Sequence, residues 1–331
     1  MQLDREKHYK YSVAVTGVSA LIGQGILKSL EQLNGINKIG IDRRFSEYAN
    51  QLCNRFYTKP SCSETSEEYL IFWKNLIQKH NLCLIIPGIS HDVNFFKDNM
   101  KNITLTGCRV VLNDLDLINL CSDKYQFHLH LVGSGIRAIP TVTTDRWSDL
   151  ESKLGKPPYI LKPKNGEGAQ GIQIINDSSD FDFWSMKNKG NYIIQKIIGD
   201  EESEYTVGVF GTGYGKICDQ IIIMRRKLSR AGNTAQAEVV DCDAIQNEVQ
   251  SLCEIYKPIG PTNFQFRMEK GHPYLLEINP RFSSSNSLRT MFGFNEAKMC
   301  VEYYIDGKTP AAQKLNHGRA ERQLFDLKWK K

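Results

Sequence analysis

The chain has 331 residues, of which 41% are hydrophobic and 24% charged, as in a globular protein of two or three domains. Its net charge of +5 is spread along the sequence, which suits small anionic ligands such as nucleotides and gives only weak support for nucleic-acid binding. The nine cysteines form no Cys-x-x-Cys pair, the first ten residues are polar, and no apolar run approaches the roughly 20 residues of a membrane-spanning helix. We therefore expect a cytoplasmic protein with free thiols, no sulfur-bound metal, and neither a nucleic-acid nor a membrane partner.

The first third of the sequence alternates strands with helices. Helices are predicted at 26–32, directly after a glycine-bearing turn at 17–25, and at 67–80. Strands are predicted at 11–16, 38–41, 82–88 and 109–112. Such alternation is typical of a parallel sheet that helices cover on both faces.

The glycine-bearing turn has two interpretations. Its glycines are spaced G-x5-G-x-G, which differs from the G-x-G-x-x-G of a dinucleotide site. Asp42, about where a ribose-binding acid would fall, keeps a dehydrogenase as an alternative that titration with a nicotinamide cofactor would test. A tight turn that simply needs glycine is the favoured interpretation.

The middle of the chain carries a second glycine-rich segment. Residues 114–132 are predicted to be mostly helical, with Ser122 as an N-cap and a domain junction near residue 115. A strand that ends in Lys162 and Pro163 then leads into the glycine-rich residues 164–171 and a second strand. This pattern predicts either a plain surface hairpin or a lid whose backbone N–H groups approach phosphate oxygens while Lys162 supplies charge.

Charged residues accompany the next strands. Glu204 starts a predicted strand at 203–210, where its carboxylate can accept hydrogen bonds from ribose hydroxyls. A strand at 216–224 runs into the most basic segment of the chain, 225–234, which contains Arg226 and Arg230. This segment is either a solvated loop or the holder of an anionic substrate.

A hairpin near the C-terminal end carries a candidate metal site. If the predicted strands pair symmetrically about Gly271, Gln265 lies opposite Glu277, with Asn279 one step further on the same face. Period-two alternation places Leu275 on that face as well. One carboxylate and two amide oxygens suit Mg²⁺, which prefers oxygen ligands and keeps part of its coordination for phosphates and water. An ordinary half-buried hairpin with a polar outer side is the alternative.

In combination, these motifs resemble the ATP-grasp superfamily, most closely its carbamoyl-phosphate-synthase large-subunit-like carboxylate–amine ligases. The resemblance covers about residues 11–308. Its motifs are Lys162-Pro163, the glycines of 166–171, the hinge at 195–199, Glu204-Tyr205-Thr206, Arg226 with Arg230, Asn263-Phe264-Gln265 and Glu277-Ile278-Asn279-Pro280-Arg281. It implies α/β and α+β architecture: a Rossmann-like parallel-sheet domain (1–115), a linker helix and ATP-grasp lid subdomain (116–190), and a C-terminal ATP-grasp subdomain with the metal site (191–331). The nucleotide would bind between the last two.

The resemblance also implies an activity and a role for each matching residue. The activity is ATP- and Mg²⁺-dependent (with Mn²⁺ as an alternative metal) joining of a small-molecule carboxylate, such as an amino acid, to an amine, by a chain that pairs as a homodimer. The implied nucleotide contacts are Lys124, Lys162, Gly166, Gly168, Gly171, the hinge residues Gln195, Lys196 and Ile197, and Glu204. The implied metal ligands are Gln265, Glu277 and Asn279, and the implied catalytic residues are Arg226, Arg230 and Arg281.

Two residues depart from the pattern that the resemblance implies. Gln195 and Gln265 stand where relatives commonly carry an acid, so the implied metal site has one negative charge fewer. The alternative from a different class is a non-catalytic nucleotide-binding regulatory module of the same fold. An assay of ADP release with and without amino acids would distinguish the two.

Overall fold

The computed structural model describes residues 9–166, 170–215, 217–323, 326 and 328. The strands are β1 (Tyr11–Thr16), β2 (Ile36–Asp42), β3 (Arg55–Thr58), β4 (Leu82–Ile86), β5 (Arg109–Val110), β6 (Thr141–Val142), β7 (Tyr159–Pro163), β8 (Gln173–Ile175), β9 (Tyr192–Lys196), β10 (Glu204–Thr212), β11 (Ile217–Leu228), β12 (Thr234–Val239), β13 (Ile259–Glu269), β14 (His272–Asn279) and β15 (Arg319–Glu321). The α-helices are α1 (Leu21–Leu30), α2 (Glu47–Gln51), α3 (Glu67–His80), α4 (Ser90–Asp98), α5 (Met100–Thr104), α6 (Leu115–Ser122), α7 (Lys124–Gly133), α8 (Trp147–Leu154), α9 (Ser178–Asn188), α10 (Asp243–Tyr256), α11 (Asn286–Met291) and α12 (Glu296–Cys300). A 3₁₀ turn at Glu201–Ser203 and a π-helical turn at Val301–Ile305 complete the described elements, none of which is a helix long and apolar enough to span a membrane.

The N-terminal sheet is parallel, as the alternation of strands and helices predicted. Its order is β3-β2-β1-β4-β5. Both faces are covered, because Val13 and Val15 of β1 pack into one hydrophobic cluster and Ala14 packs into another. Strand β3 was not predicted, because its four residues are half-buried or exposed and contain no apolar run.

Close packing explains the glycines of the first turn. A Cβ on Gly23 would lie 2.4 Å from the carbonyl oxygen of Gly17, and one on Gly25 would lie 1.9 Å from Oδ1 of Asn286 on α11. Helix α1 therefore begins at Leu21, earlier than the predicted 26, with both glycines inside it. This packing is sufficient reason for glycine at these positions, as the favoured interpretation holds.

The second sheet is antiparallel, with the order β6-β9-β7-β8, and α8 and α9 cover it. Strand β9 pairs with β7, so this sheet extends past the predicted division at 190 as far as Lys196. Helices α6 and α7 pack on the third sheet through Leu117 and Phe127. The three-part division of the chain stays a prediction.

The helical segment before this sheet is broken at one residue, Asp123. Its side chain accepts hydrogen bonds from the backbone N–H groups of Tyr125 and Gln126, so it caps α7. The predicted N-cap, Ser122, is instead the last residue of α6, and that assignment was wrong by one position.

The third sheet is antiparallel throughout, with the order β14-β13-β10-β11-β12-β15. One face packs against α10, α6 and α7. On the other face, Phe210 and Met224 share a hydrophobic cluster with β1, α1 and the C-terminal helices. The N-terminal and third sheets therefore share one core, whereas the second sheet has a core of its own.

Strand β11 extends into the basic segment 225–234. The interpretation of this segment as a solvated loop was therefore wrong for residues 225–228. The guanidinium of Arg225 is 2.6 Å from Glu238 on β12, and Arg226 points to the opposite face, where it is 5% exposed. Carboxylates on the neighbouring strands β10 and β12 pair with both arginines, which makes consecutive cations acceptable inside a strand.

The β13–β14 hairpin has the predicted pairing of Gln265 with Glu277 but a tighter turn than predicted, which shifts the pairs next to the turn by one residue. Lys270 and Gly271 have φ angles of 51° and 79°, as a two-residue hairpin turn requires. The register shifts after the Gln265–Glu277 pair, because Phe266 pairs with Leu275 and leaves Leu276 as a bulge. The bulge turns Leu275 into the core, so its predicted place beside Glu277 was wrong.

Candidate active site

Two polar side chains of β14 form the centre of the site. Glu277 pairs with Gln265 across the hairpin, and Asn279 pairs with Asn263. Nδ2 of Asn279 donates a hydrogen bond of 2.8 Å to Oε1 of Glu277. This bond leaves Oε2 of Glu277 and Oδ1 of Asn279 as adjacent oxygen donors, a set that fits a hard cation such as Mg²⁺.

The third predicted metal ligand, Gln265, contacts an arginine. Its Oε1 accepts a hydrogen bond of 2.7 Å from Nη2 of Arg226. Arg226 also donates to Oε1 of Glu204, from Nε at 3.2 Å and Nη2 at 2.8 Å, and to Oγ1 of Thr234 at 3.3 Å. Four of its five N–H groups are thus used. A bidentate contact with a substrate carboxylate needs two free donors, so it would require one of these bonds to break, and the catalytic role of Arg226 stays a prediction.

Glu204 holds two arginines. Oε1 accepts the two bonds from Arg226, and Oε2 accepts two from Arg267, at 3.3 Å from Nε and 3.0 Å from Nη2. Four hydrogen bonds occupy the lone pairs that a carboxylate offers. The predicted contact of Glu204 with ribose would require one arginine to leave, and it stays a prediction.

Lys162 reaches the site from the second sheet. Burial lowers the pKa of its ammonium group; the Glu277 carboxylate raises that pKa, and the nearby positive charge of Lys124 lowers it further. Nζ of Lys124, at the start of α7, donates a 2.8 Å hydrogen bond to the carbonyl oxygen of Gly166. The structure therefore brings Lys162, Lys124 and the start of the glycine-rich segment together with Glu277.

The predicted phosphate-binding glycines lie partly within the described residues. Gly166 and Gly171 have φ angles of 119° and 73°, in the region that favours glycine. Gly168 lies outside the described residues. The phosphate contacts of all three stay predictions.

The predicted adenine hinge is tied to its neighbours. Gln195 is 8% exposed, and its Nε2 donates to Oγ1 of Thr141 on β6 at 2.9 Å. The backbone N–H of Lys196 donates to the carbonyl oxygen of Pro140 at 3.1 Å. Ile197 follows directly after the strand. The bond to Thr141 gives Gln195 a structural reason to be an amide, and the adenine contact stays a prediction.

The other two predicted catalytic arginines, Arg281 and Arg230, differ in their surroundings. Nε of Arg281, just after the hairpin, donates to Oγ of Ser90 at 3.0 Å, and Nη1 donates to the carbonyl oxygen of Phe282 at 2.9 Å. Since Ser90 begins α4, Arg281 joins the hairpin to the parallel sheet. Arg230 lies in the exposed turn between β11 and β12, whereas Arg226 is buried, and the catalytic role of Arg230 stays a prediction.

Sequence reasoning missed Arg289, which is fully buried beneath the site. Its Nη1 is 3.1 Å from Oε1 of Glu296, and Nη2 donates to Oγ1 of Thr206 at 3.0 Å and to Oδ1 of Asn263. Burial lowers the pKa of Arg289 and raises that of Glu296. The available signal was Gly208 inside strand β10, because a Cβ there would lie 2.7 Å from Nη1 of Arg289.

The fold and this arrangement define a class: an α/β protein in which one lysine on a sheet and another at the start of a helix lie near a carboxylate–amide pair on a second sheet. Such a site suits an anionic, metal-bound ligand. Residues 121–285 match the family model of the ATP-grasp domain. The chain belongs to the ATP-grasp superfamily.

Similar proteins agree with this membership. A probable alpha-L-glutamate ligase of Xanthomonas oryzae pv. oryzae is 25% identical over 180 residues, which are 50% of this chain and 59% of that protein, so the chain spans less than two thirds of this relative. The structure resembles N5-carboxyaminoimidazole synthetase from Staphylococcus aureus complexed with ADP (TM-score 0.69, 16% identity, 93% of this chain and 80% of that one). It also resembles L-amino acid ligase from Bacillus licheniformis (TM-score 0.66, 16% identity, 92% and 78%). At such identities the structural likeness shows the fold.

Proposed function

We propose that the chain is an ATP-dependent carboxylate–amine ligase that forms an amide or peptide bond through an acylphosphate and releases ADP and phosphate. The observation that carries this proposal is the convergence of Lys162 and Lys124 with the Glu277–Asn279 pair at the junction of two sheets. The names of two similar proteins, an L-amino acid ligase and a probable alpha-L-glutamate ligase, support an amino acid as the carboxylate substrate.

These side chains have separate roles in the proposed reaction. Glu277 and Asn279 would hold Mg²⁺, which supplies charge stabilisation and orientation to the transferred phosphoryl group. Lys162 and Lys124 offset negative charge on the phosphates, and Arg281 lies at the end of the hairpin, where the substrate carboxylate would approach. The reaction needs no protein nucleophile, because the substrate carboxylate attacks the phosphorus. A homodimer and a cytoplasmic location stay predictions.

A screen of ADP and phosphate release tests the proposal. The full chain with Mg²⁺ and ATP is mixed with amino acids, sugar acids and small amines, singly and in pairs. We expect ADP release that depends on a carboxylate and an amine together, with a mass matching their condensation product. Nucleotide binding without ADP release under any pairing would instead favour the non-catalytic regulatory module.

Replacing Lys162 by alanine is expected to weaken nucleotide binding by about 10- to 100-fold, because a charge-assisted hydrogen bond contributes about 1.5–3 kcal/mol. Calorimetry with a non-hydrolysable ATP analogue measures the change. Lys153→Ala, an exposed lysine on α8 of the same sheet unit, is the control and should bind like the unaltered chain. Equal affinity of the Lys162 and Lys153 variants would contradict this role.

The lowered pKa of Lys162 predicts a pH dependence of nucleotide binding. Only the protonated amine attracts phosphate, so affinity should fall as pH rises through a pKa that lies below the ordinary 10.5. Calorimetry between pH 7 and pH 10 follows this fall. Lys162→Arg keeps its charge over the whole range and should flatten the profile. Identical profiles for lysine and arginine would assign the pH dependence to another group.

A further inference from the structure

The two carboxylates near the hairpin, Glu204 and Glu277, differ in how far their oxygens are already occupied by hydrogen bonds. Oε1 of Glu204 is bound to Arg226 and Oε2 to the partly exposed Arg267, so these three side chains form a unit with a net charge of +1. Glu277 shares only one oxygen, with the neutral Asn279. In the described part of the chain no group of three His, Cys, Asp or Glu side chains could hold a metal ion. A cation at this site therefore depends on Glu277 and on the phosphates of a ligand.

Gln265 contacts the positively charged unit and is therefore poorly placed to bind a metal. Its Oε1 is 2.7 Å from Nη2 of Arg226. Mg²⁺ bonds oxygen at about 2.1 Å, so a metal on the same oxygen would come within about 5 Å of the guanidinium nitrogen. A divalent and a monovalent cation repel each other strongly at that distance, and the buried surroundings reduce screening by solvent.

Arg226 cannot easily move away from Gln265. The side chain is 5% exposed and bonded on three sides, to Glu204, Thr234 and Gln265. If Arg226 moved, the buried carboxylate of Glu204 would keep only one of its two arginine partners. A neutral amide at 265 accepts the hydrogen bond without adding negative charge, so the unit of Glu204, Arg226 and Arg267 keeps its net charge of +1 beside the β13–β14 hairpin.

We infer that the site binds a single divalent cation, on Glu277 and Asn279 and together with the nucleotide, and that Gln265 positions Arg226 instead of ligating metal. The fixed charge of Arg226 occupies the place that a second cation would need. This inference rests on the proposed function, because the nucleotide phosphates would supply the remaining ligands of the metal.

The test counts metal ions with Mn²⁺ as the probe. The full chain is mixed with one equivalent of a non-hydrolysable ATP analogue, above its dissociation constant, and free Mn²⁺ is read by its electron paramagnetic resonance signal. We expect one tightly bound Mn²⁺ per chain, and two with the analogue bound would overturn the inference alone. Failure to bind the analogue, seen by calorimetry, would overturn the proposed function and the inference with it.

Variants separate the two roles. Glu277→Gln should weaken Mn²⁺ binding at least 10-fold, while Gln265→Ala should leave Mn²⁺ affinity and stoichiometry within about 3-fold. Gln265→Ala should instead lower kcat, and Gln265→Glu, which still accepts from Arg226, should restore it. Circular dichroism checks that each variant is folded, and Gln265→Asn provides a milder second variant. Loss of Mn²⁺ in the folded Gln265 variants equal to that in Glu277→Gln would overturn the inference.

Discussion

Replacing Glu277 by glutamine is expected to lower Mg²⁺-dependent turnover about 100-fold or more, the scale on which single preorganised transition-state contacts act. The substitution removes the negative charge that acts on Lys162 and that would hold the metal. The fold should survive, because a glutamine oxygen still accepts the hydrogen bond from Asn279 and the side chain is only half-buried. Steady-state ADP release over a range of Mg²⁺ concentrations measures the loss.

The control for this prediction is Glu254→Gln, which removes a carboxylate from the exposed face of α10. It should turn over like the unaltered chain. If Glu277→Gln keeps more than half of the original turnover, Glu277 does not hold the metal, and the metal assignment for this hairpin is wrong.

Replacing Arg289 by alanine should destabilise the chain by about 3–5 kcal/mol, the cost of leaving one member of a buried ion pair alone. Glu296 is 1% exposed and would keep an uncompensated charge, while Thr206 and Asn263 would each lose a donor. Removing the guanidinium also opens a cavity over Gly208. Calorimetry should show the unfolding temperature falling by about 10 °C.

A double variant distinguishes this explanation from general loss of packing. Arg289→Met with Glu296→Leu removes both charges and restores apolar volume, so it should recover most of the lost stability. If the double variant is no more stable than the single one, the lost stability lies in the hydrogen bonds to Thr206 and Asn263, which both variants lack, and the ion pair is not the cause.

The hairpin shows what period and symmetry can predict. Counting residues symmetrically about Gly271 predicted the pairing of Gln265 with Glu277. The observed turn, centred between Lys270 and Gly271, would by itself pair Gln265 with Leu276, and the bulge at Leu276 restores the predicted pair. The bulge at Leu276 was not predictable in the same way, since Tyr274, Leu276 and Ile278 alternate regularly in sequence. A bulge depends on how the strand packs on its neighbours, which an apolar pattern does not contain.

The candidate site was predictable in its residue types and less so in its pairings. Lys162, Glu277 and Asn279 stand near strand ends or on an outer face, where local pattern already suggests chemistry. The bonds of Glu204 to Arg226 and Arg267 join residues 22 and 63 positions apart, across the strand order β13-β10-β11. Strand order is a property of the whole fold, so these partners could be found only in the structure.

The core shared by the first and third sheets makes this chain indivisible at its apparent domain border. Leu27 of α1 lies in one cluster with Phe294 beside α12, and Ser29 of α1 bonds to Thr290 of α11 at 2.8 Å. A fragment beginning at 116 would carry Lys124, Lys162 and the proposed metal ligands. It would also expose the apolar surface of the third sheet and of the C-terminal helices that β1 and α1 cover in the full chain. We expect such a fragment to aggregate. Truncations intended to isolate the nucleotide-binding part of the chain should therefore retain the N-terminal parallel sheet.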